Sequence, residues 1–275
     1  MKFRTRAMAA AIALPMILGV AACGETDKAG GGATQSAPTQ TTSAPVTSST
    51  PEVSTPLPPT AEAPLRLTNA SFMPALKAGT GKAKSFKATA VMTVGSQKIT
   101  MTTSQITSPL AMKLDMVDPA AGTMQMILVK SNLYLSIPKQ TGAGKYIKLD
   151  LKNSKDPQIK SFGSLLDSAD PMKSYQGWEK GLRSVKFVKS ETIGGQKLDR
   201  YDVTVDTAAS LKAAGQPVPK GVPKTLVYSV WMGSDKLIYR LTFSMAGVEM
   251  LMTMSDYNKP ISITAPPANK IIAKR

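Results

Sequence analysis

From residue 84 onward, apolar and polar side chains alternate with a period of two, the signature of strands that bury one face. Phe86, Ala88, Ala90, Met92 and Val94 share one side of a first strand, with Lys87, Thr89 and Thr93 on the other. Gly95-Ser96 predicts a two-residue turn, after which Ile99, Met101 and Thr103 return. Leu110, Met112, Leu114 and Met116 alternate with Lys113 and Asp115. A turn at 120–122 leads to Met124, Met126 and Leu128. Leu133, Leu135 and Ile137 follow Asn132, and Ile147, Leu149 and Leu151 alternate with lysines. This is an antiparallel meander with one apolar and one wet face.

The period then changes. Asp156-Pro157 and Asp170-Pro171 each read as an N-cap followed by proline at the first helical position. Ile159, Phe162, Leu165 and Leu166 follow the first, and Met172, Tyr175, Trp178 and Leu182 the second, at helical spacing. Strands resume at 185–190 and, after Gly194-Gly195, at 198–205, where Tyr201, Val203 and Val205 share a face. A short helix at 207–214 closes at Gly215. Three strands follow at 225–232, 236–245 and 248–257, the last two joined around Ala246-Gly247. A further short helix is predicted around 69–76, limited by Pro74. Some ten strands with three or four short helices predict an α+β domain: a long, curved antiparallel sheet, a half-barrel, wrapped around helices with a hydrophobic cavity.

Composition gives that inner face a particular chemistry. Sixteen methionines occur in 275 residues, while aromatic residues make up only 5%. The predicted lining is Phe86, Met92, Met101, Met112, Leu114, Met116, Met124, Met126, Leu135, Tyr201, Val203, Leu241, Phe243, Met245, Met250, Met252 and Met254. Methionine is flexible and polarizable, so it specifies packing poorly but adapts to irregular apolar ligands. A core that is merely rich in methionine would show the same pattern. A concave face too large for a few short helices to cover would instead leave a cavity suited to acyl chains.

The first 64 residues belong to another class. Lys2, Arg4 and Arg6 precede an apolar run at 7–20, too short to span a bilayer and typical of an export signal. It ends in Val20-Ala21-Ala22-Cys23, and Cys23 is the only cysteine in the chain. Small residues before a lone cysteine match the lipobox of bacterial lipoproteins, in which that thiol is acylated and becomes the new N-terminus. Residues 1–22 are therefore expected to be a signal peptide and Cys23 a lipid attachment site. Residues 23–64, dominated by Ser, Thr, Pro, Ala and Gly, read as a disordered tether. The folded domain is expected at 65–275, and the chain at the outer face of the plasma membrane in a bacterial envelope.

Charge and absences narrow the chemistry further. The net charge is +16 and there is no histidine. A histidine-based triad, a histidine-ligated metal and an intramolecular disulfide are all excluded. No nucleophile elbow, P-loop or dinucleotide fingerprint occurs. Asp199, Asp202 and Asp206 cluster in sequence, but Asp202 and Asp206 alternate with apolar residues and are expected to face water. No catalytic residue, cofactor or metal is called for. The densest basic run is Lys145, Lys148, Lys152, Lys155 and Lys160. Without interleaved aromatics it does not suit nucleic acid. It is either a solvated surface or a membrane-facing patch attracted to anionic headgroups.

The lipobox, the Ser/Thr/Pro tether, the β-meander and the stretch VKFVKSETIGGQKLDRYDVTVDTAASL together resemble the actinobacterial LppX/LprG-type lipoproteins over residues 65–263. Those share a half-barrel with the lipoprotein carriers LolA and LolB. The resemblance implies a cavity for (glyco)lipid acyl chains and movement of lipid from the plasma membrane into the envelope, with an envelope lipid exporter as partner. It implies no catalytic residues. A monomer is expected. The other reading is a non-transporting sensor or scaffold module with the same fold and a filled core.

Overall fold

The computed structural model describes residues 66–119, 122–152 and 171–273. The first helix, α1 (Asn69–Thr80), runs straight through Pro74, four residues beyond the predicted end. Proline there removes one helical hydrogen bond. Phe72, Met73 and Leu76, all buried, tie the helix to the core and outweigh that loss. Gly79 seats the helix against the backbone of residues 235–236, where a Cβ would stand 2.6 Å from the Lys236 carbonyl oxygen.

Six strands then form the predicted meander: β1 (Ser85–Val94), β2 (Gln97–Ile106), β3 (Ala111–Asp118), β4 (Gly122–Val129), β5 (Asn132–Ser136) and β6 (Tyr146–Asp150). A four-residue helix not anticipated from the sequence, α2 (Pro138–Thr141), interrupts the last connection. The second Asp-Pro helix is α3 (Pro171–Gly181). The helix predicted after Asp156, with Lys155 and Lys160, lies outside the described residues. The second half comprises β7 (Leu182–Ile193), β8 (Gln196–Asp206), α4 (Thr207–Ala213), β9 (Thr225–Met232), β10 (Ile238–Met245) and β11 (Val248–Ser255). A two-residue strand, β12 (Ile271–Ile272), ends the described chain.

All twelve strands belong to one open sheet, in the order β12-β6-β5-β4-β3-β2-β1-β11-β10-β9-β8-β7. Every pairing is antiparallel except β12 with β6. The two halves of the meander therefore join where β1 meets β11, and the edges are β12 and β7. This is a curved antiparallel half-barrel with helices on its inner face, an α+β fold.

Helices α1, α3 and α4 gather on the second half. Phe72 lies 6.3 Å from Trp178 and 6.1 Å from Tyr201. Trp178 lies 4.8 Å from Tyr228. Helices α3 and α4 approach closely because Gly177 and Gly181 leave room for Ser210, and Gly181 also makes room for Val205 of β8. Across from α1, Lys77 donates to Glu179 at 2.6 Å. Asp206 caps α4 by accepting from the Ala209 N–H at 2.9 Å.

On the outer face a smaller cluster of Ile127, Tyr134 and Tyr146 packs against Ile263 and Ile271. The segment after β11 thus crosses the back of the sheet before pairing with β6. Its first stretch is fixed by Asn258, whose side chain accepts from the Lys84 N–H at 2.7 Å, and by Ser85, which donates to the Lys259 carbonyl at 2.6 Å.

Candidate functional site

Cross-strand register assembles the inner face row by row. One row runs Met252, Ala90, Met101, Met116 and Met124 across β11, β1, β2, β3 and β4. The next runs Met254, Ala88, Thr103, Leu114, Met126, Leu135 and Ile147. A third runs Phe86, Gln105, Met112, Leu128, Leu133 and Leu149. On the other side of the β1–β11 junction, Phe243 lies opposite Met250, Leu241 opposite Met252, and Met245 opposite Val248. The Ala246-Gly247 turn fixes this register, with Met245 paired to Val248.

All seventeen predicted lining residues lie on inner-face positions of their strands. Fifteen join or pack against one contiguous apolar cluster. Two stand apart: Phe86 is buried with its ring 5.9 Å from Tyr257, and Met124 is half-buried. Gln105 and Thr103, both buried, interrupt the apolar lining. Gln105 was missed because a glutamine at an alternating position gives no signal of which way it points.

Exposure along the inner face is graded. In the row from Phe86 to Leu149 every residue is buried, Leu133 at 1% and Leu128 at 2% exposure. Toward the opposite strand ends, Met92, Ile99, Met116, Met124, Leu135 and Ile147 are half-buried. These six are neighbours through the pairs Met92–Ile99, Met116–Met124 and Leu135–Ile147. Within β1–β6 the apolar face is therefore sealed at one strand end and accessible at the other, the end of the Gly95-Ser96 turn; on β10 and β11 that same end is closed by Met245 and Val248, both buried, while Met254 toward the opposite end is half-buried. Three of these six residues are methionines.

A separate open groove of about 510 Å³ lies largely on the outer face. Val91, Val227, Thr242 and Leu251 line it, and of the predicted lining residues Phe243 and Met250 reach it.

The polar groups are structural where their contacts are known. Asp199 accepts from Ser190 Oγ. Asp202 accepts from Ser229 Oγ at 2.9 Å and Asp206 pairs with Arg183 at 2.6 Å. The Arg183 guanidinium and the helical N–H of Ala209 hold the Asp206 carboxyl below its ordinary value. Among the described residues no group of three or more His, Cys, Asp or Glu could hold a metal ion. The described members of the predicted basic run do not gather at one place: Lys145 and Lys152 flank β6 at opposite ends, with Lys148 between them on the outer face. Lys155, Lys160 and Cys23 lie outside the described residues.

No family model matches the chain, and no curated protein matches it. Among solved structures it is similar to the lipoprotein LppX of Mycobacterium tuberculosis, at 14% identity over 71% of this chain and 98% of that one, with a TM-score of 0.48. It is similar to LprF from Mycobacterium bovis at 14% identity over 72% and 97%, with a TM-score of 0.47. The Pseudomonas aeruginosa MucA/MucB complex matches at 9% identity over 70% of this chain and 58% of that one, with a TM-score of 0.39.

Proposed function

We propose that this protein is an envelope lipoprotein, anchored at the outer face of the plasma membrane through an acylated Cys23. It holds the acyl chains of lipids or glycolipids against its methionine-lined inner face and carries them into the envelope. One observation carries the reading. Eleven methionines lie on described strands, every one at an inner-face position, and four of them, Met92, Met116, Met124 and Met254, are left half-buried. A core built only for stability gains little from so many flexible side chains, which specify packing poorly. A face that must accept chains of varying length and unsaturation gains from their adaptability.

The chemistry is burial. Each methylene moved out of water contributes ~0.8 kcal/mol, so a pair of long acyl chains gains well over 10 kcal/mol gross. No bond is made or broken, and the carboxylates Asp199, Asp202 and Asp206 are occupied in structural contacts. An envelope lipid exporter is the partner class that such a carrier would serve.

Uptake of a fluorescent fatty-acyl probe by the purified full chain tests the reading. Met116→Glu with Met124→Lys places charge at two half-buried positions, where folding tolerates it. Loss of about two methylenes' worth of contact weakens binding about tenfold. Val188→Glu, exposed on the edge strand β7, serves as the control and leaves uptake intact. No uptake by the wild-type chain, or equal uptake by all three, contradicts the carrier.

A further inference from the structure

The connections at the accessible end of the sheet have an unusual composition. Residues 137–145, 207–224 and 268–270 all lie there, since they join or precede strands at the same ends as the Gly95-Ser96 and Ala246-Gly247 turns. Together they hold Lys139, Lys145, Lys212, Lys220, Lys224 and Lys270, and no acidic residue. Connections at the sealed end mix signs: Asp235 sits beside Lys236, and Asp256 pairs with Lys259 at 2.7 Å and with Lys87 at 2.9 Å.

Exposed apolar side chains show the same bias. Among the described residues five large hydrophobics are exposed, and four of them, Val94, Val117, Val218 and Val227, lie at or near the accessible end. The loop between α4 and β9 combines both features in a repeated triplet, Val218-Pro219-Lys220 and Val222-Pro223-Lys224. Each triplet offers one aliphatic side chain and one ammonium. Its proline removes an N–H that would otherwise need a partner in an interface poor in water. Lys212, Lys220 and Lys224 make no ion pair with the described residues. Lysines occur in the connections at both ends; what distinguishes these connections is that no acidic residue lies within them and that bare valines stand beside them.

We infer that this end, led by the Val-Pro-Lys loop, seats the domain on an anionic lipid bilayer. The ammoniums reach the headgroups and the valines enter the interface. The half-buried methionines then face the membrane, so an acyl chain passes between bilayer and protein with little exposure to water. The inference rests on the carrier reading and adds to it which surface meets the lipid source. Of the described members of the predicted basic run, Lys145 lies at this end, its ammonium donating to the Asn269 carbonyl oxygen at 2.8 Å. The attraction is worth about fivefold per lysine and is sensitive to salt.

The test uses the full chain in a Cys23→Ala background, which removes the lipid anchor and leaves each introduced cysteine as the only thiol. A single environment-sensitive fluorophore is attached through Val218→Cys at the accessible end or Ser131→Cys at the sealed end. On vesicles of phosphatidylcholine with phosphatidylglycerol, the label at 218 should shift to the blue and the label at 131 should not. High salt should reverse the shift, and so should phosphatidylcholine alone. Replacing Lys212, Lys220 and Lys224 with glutamate reduces seating about 100-fold or more and extinguishes it. Equal spectra at the two positions overturn the inference, as does a shift at 218 that survives both charge reversal and removal of phosphatidylglycerol. Acyl-probe uptake from solution, measured on the same lysine variant, separates the two proposals. Uptake retained while seating is lost supports both; absent uptake in the wild-type chain sinks the carrier reading, whatever the fluorophore does.

Discussion

Trp178 is fully buried between Phe72, Tyr175 and Tyr228, and it is the side chain through which α3 meets both α1 and the sheet. Truncation to alanine should remove about 3–5 kcal/mol of stability, read as a lower urea midpoint. Tyr175, Tyr228 and Tyr257 set the alkaline limit. Burial raises each phenol above its ordinary value of 10.0, so the folded chain keeps protons that the unfolded chain releases. Their contribution is complete below that value and is lost as the pH rises past it. The ultraviolet band of tyrosinate should therefore stay silent for these three until the chain unfolds. At the acid side, hydrogen bonds from Lys259 and Lys87 hold Asp256 at about 2, against an ordinary 3.8. Its contribution is present above that ordinary value and disappears as the pH falls toward 2. Exposure keeps it small. Asp256→Asn should flatten that limb of the stability profile. For Cys23, incorporation of an alkyne-labelled fatty acid should occur in the wild-type chain and be absent in Cys23→Ala.

At the scale of the element, turns explain why much of the sheet could be read in advance. A two-residue hairpin needs positive φ, and Gly194-Gly195 supplies it at 58° and 80°. Gly95, at 59°, leads the first hairpin in the same way. The β4–β5 turn was not legible, because Lys130 and Ser131 adopt φ of 50° and 63° although neither residue type announces it. Replacing the pair with Asn-Gly should stabilise the fold by about 0.5–1 kcal/mol, visible as a higher melting temperature. Gly79→Ala should do the opposite. Its Cβ would meet the Lys236 carbonyl at 2.6 Å and cost about 1–3 kcal/mol as α1 is pushed off the turn before β10. The strand β12 left no trace in the pattern, since two residues are too few for an alternation and their pairing depends on packing across the outer face. The inner face of the sheet, by contrast, was written in the alternation itself. Which of its residues stay half-buried was not, because that depends on which strand ends the rest of the fold leaves uncovered.

At the scale of the whole molecule, the proposed carrier brings three features together. The sheet gathers its methionines on one face, that face is left half-buried at one strand end of β1–β6, and the connections at that end carry lysines with no acidic residue among them. The net charge of +16 gains a location from this arrangement, although lysines also cover the rest of the surface. The central claim is that the inner face holds acyl chains. Its most direct test is purification of the full chain from its native envelope, followed by organic extraction and mass spectrometry of what leaves with it. The account predicts one or a few lipids in near-stoichiometric amount, depleted in the Met116→Glu, Met124→Lys protein. Recovery of wild-type protein with no lipid beyond its own N-terminal anchor would contradict it.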